Sequence, residues 1–570
     1  MRSHRVLRMG QPDVLLVPMD IAVDANRDGT IKFAGTPAEE GAGKPADKTE
    51  EAKPFRFWVN DDRDGEDDGE EKQSGAVDSA DNEIKSKRDL EDFARLHLNI
   101  GGLHEAIAAG QIKVGLKWKN ATGAPAVKIY RAVEGDGDRK YVTDDSAAAS
   151  QMSQAFKTAK GTVVGTNALV LPADLFAHLA PEDANVYLLF EASGEGKGQL
   201  VVTIHKADGS EMGEGPGVWM DLKNVKKMYA RAITTPHNLN EPWKEETPYD
   251  PNQANWVLNS MNQVFEPAWD EEKKVFVYVN GSNEAEVYST ANAETMFKRL
   301  WHQGYKGRLA HFRWDTDVGV GDGTLPAPYN MNEWIAWTYG NSLMNYVDSF
   351  PSEFEVNICG HSLGNVVVSS ALKRGMSISN YLLMQAAIPA GCYDTNNTLN
   401  SYPRFVAAEV NNPSPDGAGS LGYLGYLMDL NVNMINMYNP VDYALTSGPL
   451  GAWEYNQEFY KPDNPSLLVR YIYYPDDYAN PAQAGRSYVD NLGVLLLREV
   501  TTAFESMSFV ARSRSKAAGA ISTGQTIDEN VQLNSTVYGF SDTRPDHGAQ
   551  FARPIQRLNA FYQKVFDTIE

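Results

Sequence analysis

Apolar positions change their spacing partway along this 570-residue chain. In its first part they alternate with polar ones, the period of a strand with one covered face. Four such runs are Ile112 to Trp118, Ala126 to Val133, Val186 to Phe190 and Gln199 to His205, separated by Gly/Asp turn signals. They predict a sandwich-like, all-β region over residues 1–235. Two earlier runs, Asp13 to Val23 and Phe55 to Val59, predict further strands, with Pro18 marking an edge or a bulge, while Arg88 to Leu96 predicts a brief helix.

Residues 236–253 hold Pro236, Pro242, Pro248 and Pro251 among scattered charges and read as a linker. From residue 254 to 570 the pattern becomes apolar strand, amphipathic helix, apolar strand. Lys274 to Val279, Arg308 to Trp314, Val356 to Cys359 and Tyr381 to Ile388 are the strands; Ala291 to Trp301 and Met331 to Ser349 are helices between them. That alternation predicts the α/β class, a doubly wound, mostly parallel sheet covered on both faces.

At one junction of that pattern the strand Val356 to Cys359 ends in Gly360-His361-Ser362-Leu363-Gly364, and a helical run follows as far as Gly375. Strand, sharp turn and helix form the context in which glycines let a serine be lifted off the sheet edge, a nucleophile elbow. A serine hydroxyl needs a general base, and the base needs an orienting acid. His547, before the C-terminal helix, is the only histidine after Ser362. Asp442 emerges beyond an apolar strand and an Asn439-Pro440 turn, where ligands of open sheets bind; Asp394 is its rival. The oxyanion donors expected are the amides of Leu363 and of Ser282, in Asn280-Gly281-Ser282-Asn283.

At these residues the chain resembles the α/β-hydrolase superfamily, and within it serine esterases and lipases that carry GHSLG or AHSLG. The tail Ser362-Leu363-Gly364-Asn365-Val366-Val367-Val368-Ser369 is similar to bacterial hydrolases related to lipases and inositol-acyl deacylases. The resemblance covers Trp256 to Glu570 and implies the chain order nucleophile, acid, base, which Ser362, Asp442 and His547 follow. It implies cleavage of a small-molecule or polymeric ester without a catalytic cofactor. Amidase or acyltransferase chemistry would use the same parts, and an inactive hydrolase fold serving as a binding scaffold is the alternative from another class. One departure is Asn280-Gly281, where the family often has His-Gly.

Two acidic turns add a second chemistry. Asp24-Ala25-Asn26-Arg27-Asp28-Gly29 and Asn60-Asp61-Asp62-Arg63-Asp64-Gly65 each follow a strand and repeat the first half of an EF-hand-type loop. If the strands pair, Asp24, Asn26, Asp28, Asn60, Asp62 and Asp64 share a structural Ca²⁺; the alternative is a pair of solvated Asp/Gly turns. The first loop departs from the pattern at its twelfth position, Gly35. This half of the chain resembles calcium-binding β-modules of bacterial exported proteins.

The formal net charge is −23, with 19 acidic against 9 basic residues between Thr36 and Asp92, a surface that repels nucleic acid and anionic lipid. No apolar run reaches the length of about 18 residues needed to span a bilayer. The two cysteines, Cys359 and Cys392, read as buried thiols, with a disulfide across adjacent strands as the alternative. Met1 to Arg8 is basic without a following apolar stretch, which leaves the compartment unassigned, a secreted protein whose leader has been removed among the readings. Oligomeric state is not encoded in any of these signals.

Overall fold

The computed structural model describes chiefly residues 19–33, 47–59, 90–133, 138–152, 162–165, 167–176, 184–234, 256–258, 265–282, 286–314, 339–388, 390–394, 427–442, 517–534, 537–540 and 547–570. The chain divides into two compact units, residues 1–61 with 88–225, and residues 62–87 with 226–570.

The first unit is built on one eight-stranded, largely antiparallel sheet. Its strands are β1 (Asp20–Ala22), β2 (Phe55–Val59), β3 (Phe93–Asn99), β4 (Ile112–Arg131), β5 (Thr162–Val164), β6 (Leu169–Val170), β7 (Asn185–Lys206) and β8 (Glu211–Asn224). The four short strands expected between Ile112 and His205 are two long ones, β4 and β7, paired from Ile112↔Lys206 to Arg131↔Leu188. What reads as turns are irregularities inside them. The register shifts between Lys119 and Thr122 and again between Gly123 and Ala126, with Asn120 and Gly123 at φ 52° and 75°. A Cβ on Gly194 would meet Ala124 O at 2.5 Å, so that close crossing requires glycine. On its other edge β7 bonds β3 through Asn185 to Glu191 and β8 from Gly196 onward, so its two halves serve different neighbours.

The helix expected at Arg88 to Leu96 is replaced by a 3₁₀ turn, Leu90–Asp92, and strand β3. Pairing with both β1 and β7 outweighs local helix propensity there. Phe57, Trp58, Phe93, Leu96, Phe190 and Leu222 fill the core, the Phe57 and Trp58 rings stacking at 4.0 Å.

The second unit is α/β. Strands β9 (Ala230–Thr234), β10 (Trp256–Leu258), β11 (Lys274–Val279), β12 (Arg308–Arg313), β13 (Glu355–His361), β14 (Asn380–Met384), β15 (Asn433–Tyr438) and β16 (Glu529–Gln532) form a sheet in the order β10-β9-β12-β11-β13-β14-β15-β16. Every neighbouring pair is parallel except the edge pair β9–β10. Strand β9, which precedes the expected linker, belongs to this sheet through the register Ala230↔Ala310; residues 236–253 lie outside the described residues.

Helices α1 (Glu286–Gln303), α2 (Gly340–Asp348), α3 (Gly364–Lys373), α4 (Ala549–Ala552) and α5 (Ile555–Ile569) cover the sheet. Strand periodicity decides which side chain meets which layer. Val275, Val277, Val279, Phe312 and Ile358 share one buried cluster with Leu343, Tyr346, Val366 and Val367 of α2 and α3. The alternate residues face α1 and the C-terminal helices: Cys359 Sγ lies 3.9 Å from Met296 Sδ, and Tyr278 packs on Phe551 at 5.5 Å. On that side His311 stacks against Tyr278, and burial together with Arg313 and Arg231 pushes its imidazole down to about 3. Both cysteines are buried free thiols.

No described helix is long and apolar enough to cross a membrane.

Candidate active site

Ser362 follows the last residue of β13 and precedes α3 by one residue, at φ 51°. A left-handed backbone at a non-glycine residue costs of order 1 kcal/mol or more and persists only where neighbours impose it. Three features impose it here. Ser362 N donates to Met384 O at 3.1 Å, and Ser362 O accepts from Ala387 N at 3.0 Å. Asn365 Nδ2 donates to Gly360 O at 2.8 Å and to Ser362 O at 2.9 Å. Tyr381 OH in turn donates to Asn365 Oδ1 at 2.8 Å.

The flanking glycines are needed for contact. A Cβ on Gly360 would lie 2.9 Å from Asn365 N, and one on Gly364 would lie 2.5 Å from both Val279 O and Asn280 O. The turn after β13 is thereby pressed against the end of β11.

His547 arrives just before α4, its ring 5.0 Å from that of His361. His361 Nε2 donates to the His547 carbonyl at 2.7 Å, so the residue beside the serine anchors the backbone of the other histidine. His547 Nε2 lies 2.7 Å from Ser362 Oγ, and Nδ1 lies 2.7 Å from Asp442 Oδ2. A carboxylate oxygen only accepts, so the proton of this imidazole sits on Nδ1 and the Nε2 lone pair faces the serine hydroxyl. Asp442 is fully buried, whereas the His547 side chain is 18% exposed. Ser362, Asp442 and His547 are therefore brought together, all beyond the carboxyl ends of parallel strands.

Asp394 is placed otherwise. Its Oδ1 accepts from Asn396 N at 2.9 Å and its Oδ2 from Gly524 N at 2.8 Å, which ties it to loop backbone.

Leu363, buried, caps α3, and among the described residues its N–H meets no backbone acceptor. Ser282 lies two residues past Asn280, whose carbonyl touches Gly364 and accepts Trp314 Nε1 at 2.7 Å. The loop expected to supply the second oxyanion donor thus runs beside the elbow. Asn280 Nδ2 bonds the Gly281 carbonyl at 3.0 Å, bracing that loop from the position where the resembled family often has histidine.

One residue of this site has no signature in the sequence. Gln385, fully buried and at φ 42°, donates Nε2 to Asp442 Oδ2 at 2.6 Å. The apolar run Tyr381 to Ile388 reads as one strand, whereas β14 ends at Met384, and nothing in that run marks Gln385 as the residue that leaves it.

The first acidic turn closes on itself. Gly29 N donates to Asp24 Oδ2 at 3.0 Å, Asp28 N to Asn26 Oδ1 at 2.9 Å and Thr30 N to Asp28 Oδ1 at 2.9 Å. Arg95 pairs with Asp24 Oδ2 at 2.5 Å, while Asp24 Oδ1 is buried without a hydrogen bond among the described residues. Asp47 clasps the loop by accepting from Ala25 N at 2.8 Å and Lys32 N at 2.7 Å, and burial pushes its carboxyl up to about 6. Asn60, Asp62 and Asp64 lie outside the described residues.

No family model and no curated protein sequence matches the chain. Among solved structures, polyneuridine aldehyde esterase aligns over 52% of this chain and 98% of its own, at 13% identity and a TM-score of 0.22. A metagenomic carboxyl esterase aligns over 60% of this chain and 94% of its own, at 12% identity and a TM-score of 0.20. Likenesses this slight do not bear on the chemistry, which rests on the side chains themselves.

Proposed function

We propose that this protein is a serine hydrolase that cleaves a carboxylic ester through an acyl-enzyme. The observation that carries the reading is the unbroken line from Ser362 Oγ to His547 Nε2, and from His547 Nδ1 to Asp442 Oδ2, at 2.7 Å each, on a strained turn. In this reading Ser362 Oγ attacks the ester carbonyl as His547 Nε2 takes its proton. The amides of Leu363 and Ser282 stabilise the oxyanion, and the imidazolium returns the proton to the departing alkoxide. Water, deprotonated by the same imidazole, then releases the acid. Asp442 keeps the imidazole in the productive tautomer throughout.

The test is labelling with a fluorophosphonate, read by mass spectrometry, beside an ester panel varied in acyl and alcohol parts. Label on Ser362 that disappears in Ser362→Ala, together with turnover of at least one ester, supports the reading. An unlabelled, folded wild type favours a binding scaffold instead.

For the acidic turns we propose a structural Ca²⁺ held by Asp24, Asn26 and Asp28, with Asn60, Asp62 and Asp64 as the second set. Hard oxygen donors suit such an ion, as does Asp24 Oδ1, which has no hydrogen bond among the described residues, while Arg95 competes for Asp24 Oδ2. The ion would neutralise crowded carboxylates and takes no part in ester cleavage.

A further inference from the structure

We propose that Gln385 is a positioning residue for this reaction: its amide holds the Asp442 carboxylate in the orientation in which Oδ2 faces His547. The inference rests on the esterase reading above. Gln385 Nε2 and His547 Nδ1 meet the same oxygen, at 2.6 and 2.7 Å, while Leu445 N donates to Oδ1 at 3.3 Å. A carboxylate turns easily about its last torsion, which is broad and roughly two-fold. Two donors on Oδ2 fix that angle, and the amide is a donor that cannot lose its proton to the carboxylate.

Backbone geometry shows that the placement is imposed. The turn Met384 to Ala387 bonds Ser362 on both sides, through Met384 O and Ala387 N, while Gln385 N donates to Met437 O at 3.0 Å. One turn therefore holds the nucleophile by its backbone and the acid by a side chain. A Cβ on Gly519 would lie 2.1 Å from Ala386 N and 2.2 Å from Gln385 C, and Gly519 N donates to Ala386 O at 2.9 Å. The chain at Gly519 thus backs the strained turn. When the serine proton reaches His547, the new imidazolium needs its partner already in place, and Gln385 supplies that order before the reaction starts.

Two variants test it. Gln385→Met keeps length and removes the donor; Gln385→Glu places a carboxyl that donates only when protonated. Among the described residues, Asp442, beyond β15, and His547, before α4, are titratable groups facing the position, and the segment at Gly519 presents backbone. Fluorophosphonate labelling rates, and kcat and KM on para-nitrophenyl acetate, are measured between about pH 5 and 8, the window set by an imidazole base. Gln385→Met should lower kcat by about tenfold to a hundredfold, the range of one hydrogen bond to a charged group, with KM within about twofold. Its ratio to wild type should not vary with pH. For Gln385→Glu the ratio should climb as pH falls. In an Asp442→Asn background Gln385→Met should cost little more, because the two act through one oxygen.

Should Gln385→Met misfold, the pH dependence of the Gln385→Glu ratio decides alone. A folded Gln385→Met with unchanged kcat, an effect on KM only, or a flat Gln385→Glu ratio overturns the assignment. Wild type that neither labels nor turns over ester overturns the esterase reading and this one with it, whereas labelled wild type with indifferent variants overturns the positioning alone.

Discussion

In the β-rich unit, buried carboxylates meet partly exposed cations directly across neighbouring strands. Asp221 sits opposite Arg56 in register and pairs with it at 3.0 Å; Glu191 sits opposite Lys128 and takes both its ammonium and the Tyr130 hydroxyl. The effect of each pair is to hold two strands together. In the α/β unit, Gln385, Asp442 and His547 run in a line that ends on one serine hydroxyl, and their partners lie 57, 105 and 185 residues apart. Polar pairing serves shape in the first unit. In the second it is directed, because one end is left at a hydroxyl that can react.

The largest expected effect separates those two uses. Ser362→Ala should lower kcat by on the order of 10⁶ while leaving both thermal transitions in place, since the small side chain at the elbow packs little. Burst kinetics and calorimetry check the two halves of that statement, and retention of a tenth of wild-type turnover would rule out the mechanism. Asp442→Asn should cost on the order of 10⁴ in kcat by offering His547 the wrong partner. Asp394→Asn should cost far less, because its carboxylate serves loop amides; a reversed order would hand Asp394 the acid's role.

Calcium should act on stability and leave turnover alone. Saturation at about 100 times Kd adds roughly 2.7 kcal/mol to the state that binds it. Calorimetry in chelator and then in Ca²⁺ should move one transition upward with kcat unchanged; if turnover stops in chelator, the ion serves the chemistry.

Acid should weaken the second unit through His311. Its folded value of about 3 lies below the unfolded 6.5, so the unfolded chain binds the proton first as pH falls. The contribution is complete above pH 6.5 and is lost progressively below it, by about 2 kcal/mol at pH 5. Thermal unfolding against pH should steepen in that window, and His311→Gln should flatten it.

Much of the second unit is legible because its signals are local. Gly360 and Gly364 are demanded by close backbone approach, apolar runs mark strands buried on both faces, and His547 has no competitor after the serine. Gln385 is illegible for the opposite reason: it takes a left-handed conformation without being glycine, and its partner is 57 residues away. In the first unit, glycine and proline near Gly123 and Pro125 mislead, since the same residues that permit a turn also permit a bulge within a long strand. Ala230 to Thr234 carries too short an alternation to reveal which sheet it joins.

The span of 185 residues between Ser362 and His547 also governs when the site comes into being. Closing a loop of that length brings no reward until β13, β14 and β15 have already paired, so the entropy is met late. On dilution from denaturant, tryptophan burial should precede the return of serine reactivity, with the hydroxyl inert until the last segment docks. A nascent or partly refolded chain would then carry its nucleophile without the base, and would not hydrolyse esters before the remainder of the fold is in place.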